Sequence, residues 1–121
     1  MAFKVSVDEK KKIFNAEVYG FPEANGAGEA LKNYNKLLGN INPKEYSMIL
    51  DCAELGVFRQ ESVPALQGLF KLYQQTGFKN IIFVNPKTVT SAMQLKRVAK
   101  SVPGFTGKFV NTKEEAEGLC G

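Results

Sequence analysis

The chain has 121 residues, 44% hydrophobic and 23% charged. That balance fits one compact domain with a buried core and excludes the low-hydrophobicity, high-charge composition of disorder. The chain contains no histidine, which removes histidine-based hydrolytic triads and histidine-ligated metal sites. A net charge of +4 and a pI near 9.1 predict mild attraction to acidic partners. The basic residues are interspersed with Glu and Asp instead of gathered in an arm, so nucleic acid is not the expected partner.

The longest apolar runs, Met48 to Leu50 and Ile81 to Val84, are far too short to cross a bilayer. The opening MAFKVSVDEKKK lacks the apolar core of a secretory signal, and a cytoplasmic location is expected. Cys52 and Cys120 form neither a C-x-x-C motif nor a disulfide framework and are expected as reduced thiols.

In chain order, Phe3, Val5 and Val7 alternate with Lys4 and Ser6, the period of a half-buried strand. The charged DEKKK turn leads to a second strand through Ile13, Phe14, Ala16, Val18 and Tyr19, ended by Gly20, which predicts an antiparallel hairpin. After GFPEANGAG, apolar residues at Ala27, Ala30, Leu31, Tyr34, Leu37, Leu38 and Ile41 mark one face of a helix, closed by Gly39, Asn40, Asn42 and Pro43. Tyr46 to Cys52 reads as a strand covered on both faces. Leu66, Leu69, Phe70 and Tyr73 predict a second helix with Gly77 as its left-handed cap.

KNIIFVNP is another covered strand, and from Pro86 a third helix is expected, with Val89, Ala92, Met93, Leu95, Val98, Ala99 and Val102 as its apolar positions and Pro103 and Gly104 as its stop. KFVNT predicts a last short strand. Thr112 and Glu115 have the spacing of a capping box for a short helix over Lys113 to Cys120. The element order β-β-α-β-α-β-α-β-α over residues 1–121 predicts a single α/β domain with a mixed, mostly parallel sheet of about five strands and about four helices. In such a sheet, ligands bind at the edge formed by the carboxyl ends of the parallel strands. The loops Gly20 to Gly28, Asp51 to Ser62 and Asn85 to Thr88 are expected there.

With AEVYGF, the stretch MILDCAELGVFRQESVPALQGLFKLYQQTGFKNIIFVNP and the NTKEEAEGL tail in this layout, the chain resembles the STAS family, the domain of anti-anti-sigma factors and of sulfate-transporter tails. The resemblance covers nearly the whole chain. It implies a STAS-like α/β fold and a regulatory, non-enzymatic, protein-binding role. The implied partner is an anti-sigma-factor or kinase-like protein, or a second copy. Members that act in sigma-factor switching open their second helix with an Asp-Ser-Ser-Gly-like motif, whose first serine a kinase phosphorylates. Counted from Asp51, those positions fall on Arg59, Gln60, Glu61 and Ser62. The acceptor position thus holds Gln60, which takes no phosphate.

Ser62 precedes VPAL, with Pro64 in the first helical turn, and is expected as an N-cap; a phosphate there would be favoured by the helix dipole. Glu61 is expected as a solvated charge, with mimicry of a permanent phosphate as the sharper reading. Apolar Val57 and Phe58, together with Arg59, Gln60, Glu61 and Ser62, form the expected protein-docking surface.

An alternative class is a module for a nucleotide, phosphate or lipid headgroup. It would use Asn25, Gly26, Gly28, Asp51, Asn85, Lys87 and Thr88. Asp51 is otherwise expected to hold its loop by accepting backbone amides, and Cys52 to be a small buried residue. Lys96, Arg97 and Lys100 are expected on a solvated face of the third helix, suited to an acidic protein surface if they bind anything. No catalytic residue, metal ligand or cofactor is expected.

Overall fold

The computed structural model of the chain describes residues 2–19, 27–56, 63–105 and 107–119. Five strands, β1 (Ala2–Asp8), β2 (Ile13–Tyr19), β3 (Ser47–Asp51), β4 (Asn80–Val84) and β5 (Lys108–Val110), lie side by side in that order in one sheet. β1 and β2 pair antiparallel, and every later pair is parallel. The helices are α1 (Ala27–Leu38), α2 (Val63–Thr76), α3 (Val89–Lys100) and α4 (Lys113–Leu119), with a 3-10 turn at Pro43–Glu45 ahead of β3. The molecule is an α/β fold with a mixed sheet. No helix of the described residues is long and apolar enough to cross a membrane.

The hairpin is closed by local chemistry. Asp8 accepts the amides of Lys10 and Lys11 on its Oδ1, each at 3.1 Å, and Lys12 completes the reversal in the left-handed region at φ 55°.

Alternation along the strands divides the side chains between two faces. Phe14, Ala16, Met48, Leu50 and Phe83 enter the larger core, where they meet Tyr34 of α1, Leu66, Phe70 and Tyr73 of α2, and Leu95, Val98 and Ala99 of α3. Three successive crossovers of one hand, each stepping to the next strand in the same direction, put these helices on one face. Phe83 is the hub of an aromatic group, 5.0 Å between ring centroids from both Phe70 and Phe109. Tyr34 ties α1 to the end of α2 through a 2.8 Å hydrogen bond with Thr76 Oγ1. The Thr76 hydroxyl proton is given to Leu72 O, so the Tyr34 hydroxyl is the donor.

The second face is thinner. Ile13, Ile49, Ile82 and Val84 are covered by Ala116 of α4. The register continues this face over the hairpin with Ser6, Asp8, Asn15 and Glu17. That half is polar.

α2 ends as its sequence requires, with Gly77 at φ 83° just beyond Thr76. α4 begins with Thr112 Oγ1 accepting the Glu115 amide at 3.1 Å. α3 departs from expectation in two ways. It starts at Val89 instead of Pro86, because Thr88 is the N-cap, with extended backbone and its side-chain oxygen accepting from the Ser91 amide. Val89 and Met93 do not belong to its buried face: they are 76% and 59% exposed. The buried stripe runs instead through Ser91, Leu95, Val98 and Ala99. A serine enters an apolar stripe here because its hydroxyl accepts a hydrogen bond from Thr88 Oγ1 at 2.8 Å.

Candidate functional site at the carboxyl edge

β2 to β5 run in one direction, so the segments following β3, β4 and β5 emerge at one edge. Each is held there by backbone bonds that continue the ladders. The Cys52 amide donates to Val84 O at 3.2 Å, the Asn85 amide to Val110 O at 2.8 Å, and the Lys87 amide to Ala53 O at 3.3 Å.

Asp51 ends β3 and accepts the Ala53 amide on Oδ1 at 3.0 Å, the anchoring role expected of it. The turn continues with the Leu55 amide donating to Cys52 O at 2.9 Å, and Leu55 is buried in the larger core. A buried leucine fixes where the chain leaves toward α2. Val57, Phe58, Arg59, Gln60, Glu61 and Ser62, expected from the sequence as a docking surface, lie outside the described residues, as do Asn25 and Gly26. Gly28 lies in the first turn of α1.

Among the described residues of the expected anion site, the side chains of Lys87, Asn85 and Thr88 are engaged within the protein. The Lys87 ammonium is hydrogen-bonded and ion-paired to Glu54, and the Glu54 carboxylate, with a smaller contribution from Asp51, raises the Lys87 pKa. The Asn85 side-chain amide donates to Asn111 Oδ1 at 3.1 Å. The Thr88 hydroxyl serves Ser91 on both sides, accepting from its amide and donating to its hydroxyl. Among the described residues at this edge, one buried side-chain atom has no hydrogen-bond partner, and it is an acceptor, Asn85 Oδ1. An unsatisfied carbonyl oxygen asks for an N–H or a cation, not for a phosphate.

Cys52 lies directly beneath this edge, fully buried, with its thiol pKa pushed up by desolvation and then by the Asp51 charge. A thiol held neutral is a poor nucleophile. Among the described residues, no three Cys, Asp or Glu side chains come together as metal ligands would.

Glu54, Asn111 and Ser91 are the participants that the sequence did not point to. Glu54 and Lys87 are 33 positions apart, and only the parallel pairing of β3 with β4 makes their loops neighbours. For Ser91 there was a local signal, the T-x-x-S spacing from Thr88, which matches a side-chain cap.

No family model matches the chain, and no curated protein is found similar to it.

Proposed function

We propose that this chain is a STAS-like cytoplasmic regulatory domain that acts by binding another protein. It docks that partner, an anti-sigma-factor or kinase-like protein, on the carboxyl edge of its sheet. Val57 and Phe58 anchor the contact, Arg59, Gln60 and Glu61 form its polar rim, and Ser62 caps α2. With Gln60 at the acceptor position, docking is constitutive and is not released by phosphorylation there.

The observation that carries this reading is the fastening of the Asp51–Leu55 turn. A turn fixed in this way supports the reading, because a docking surface that starts from a fixed point loses less freedom on binding. The mixed five-stranded sheet with four helices also agrees with the α/β layout that the resemblance implies. Occupation of Lys87, Asn85 and Thr88 by internal partners weighs against an anion module on the same edge.

Affinity capture from the cells that make the protein tests the proposal. The expected result is a protein retained by the wild-type chain and lost with both Phe58→Ala and Gln60→Arg. Capture of nothing that depends on these two residues would overturn it. A rise in melting temperature with millimolar phosphate or nucleotide would restore the anion-binding reading.

A further inference from the structure

We infer that the outer face of α3 docks onto the outer face of α4 of a second copy of the chain, giving head-to-tail self-association. The described residues include three large apolar side chains that are exposed: Val89 at 76%, Met93 at 59% and Leu119 at 45%. Two of them lie one turn apart on α3, at its amino-terminal half. The same stripe continues, at helical spacing, into exposed Lys96, Arg97 and Lys100. α3 carries no acidic residue.

The third, Leu119, lies at the carboxyl end of α4, one turn beyond exposed Glu115, and exposed Glu114 lies at the opposite end of the same helix. One face is apolar then basic along its helix, and the other is acidic then apolar. Laid antiparallel, they set Val89 and Met93 against Leu119, and Arg97 and Lys100 against Glu114 and Glu115. All three exposed apolar groups are then covered by one contact.

α3 covers the larger core on one face of the sheet, and α4 covers the smaller core on the other. The two stripes therefore meet only between molecules. None of the ion pairs among the described residues uses Arg97, Lys100, Glu114 or Glu115. Lys96 is partly committed, its ammonium lying 5.8 Å from the centre of the Phe109 ring. A bilayer fits this surface less well. Its apolar and basic groups are separated along the helix axis instead of across it, so apolar immersion would drag the cations in.

Because different surfaces meet, the contact does not close at a dimer, and larger assemblies form as concentration rises. A helix-on-helix contact is also smaller than a standard interface, which places the affinity in the weak range.

Sedimentation velocity of the full chain over a concentration series, at low and high salt, tests this. The expected result is reversible, salt-weakened association reaching beyond the dimer, lost in Arg97→Glu/Lys100→Glu and lost in Glu114→Lys/Glu115→Lys. Mixing the two reversed variants restores it, since each then offers faces complementary to the other's. If a reversed variant fails to fold by circular dichroism, Met93→Ser and Leu119→Ser give the same readout. Phe58→Ala leaves the association unchanged, so this inference and the docking-edge proposal fail separately. A wild-type chain that stays monomeric up to ~1 mM at low salt, or reversed variants that do not recombine, would overturn it. So would binding to phosphatidylserine vesicles that depends on Met93 and not on Glu114 or Glu115.

Discussion

The Thr88 hydroxyl holds two things at once: it accepts the Ser91 amide and satisfies the only polar atom of a fully buried serine side chain. Thr88→Ala removes the cap of α3 and orphans that buried hydroxyl, and is expected to cost about 1–2 kcal/mol in urea denaturation. A loss below a few tenths would show that the helix start is held by packing alone. Three other buried groups set the response to alkali. Burial raises the pKa of Cys52 above 9.0, of Tyr34 from 10.0 to about 12, and of Tyr73 above 10.0. Below the unfolded-state values, both folded and unfolded chains keep these protons and stability does not change. Above them, the unfolded chain releases protons first, so stability falls as pH rises from about 9 through 12. The urea midpoint is expected to be level up to about pH 8 and lower at about pH 10.5, with Tyr34→Phe showing a shallower fall. An equal midpoint at both pH values would contradict the burial of these groups.

At the scale of elements, α3 shows why hydropathy alone misplaces a helix face. Val89 and Met93 fit a three-and-four repeat with Ala92 and Leu95, but a helix has one buried direction. Here it runs through Ser91, Leu95, Val98 and Ala99. A hydrogen-bonded serine displaced two apolar residues from the core, and composition carries no sign of that. Phe83→Ala, at the centre of the aromatic group on the larger core, is expected to cost about 3–5 kcal/mol. Val89→Ser is expected to change the stability of the monomer by less than about 0.5 kcal/mol. A Val89→Ser penalty comparable with that of Phe83→Ala would mean that α3 is rotated from this placement. Elsewhere, strands and helices were legible because their signals were redundant. The alternation in β1 agrees with its pairing to β2, the unbroken apolar run of β3 has core on both faces, and Gly77 sits at the positive φ its cap requires.

For the whole molecule, the element order fixed a mostly parallel sheet and hence one shared carboxyl edge, and that was readable from the chain. What occupies the edge was not. Asp51 could be read as a loop anchor because Asx turns are local, but the Lys87–Glu54 and Asn85–Asn111 pairs join residues 33 and 26 positions apart. They turn an apparent cluster of anion-binding donors into internal fastenings. The same edge, held by backbone bonds from Cys52, Asn85 and Lys87, offers a fixed base for the loop that follows Leu55. Docking through that loop without a phosphate switch is the central functional claim. Calorimetric titration of the captured partner into three forms of the chain tests it most directly. The prediction is that Ser62→Ala binds within about twofold of wild type while losing about 1 kcal/mol of stability, and that Phe58→Ala weakens binding about tenfold or more. Wild-type affinity in Phe58→Ala, or binding abolished in a folded Ser62→Ala, would contradict it.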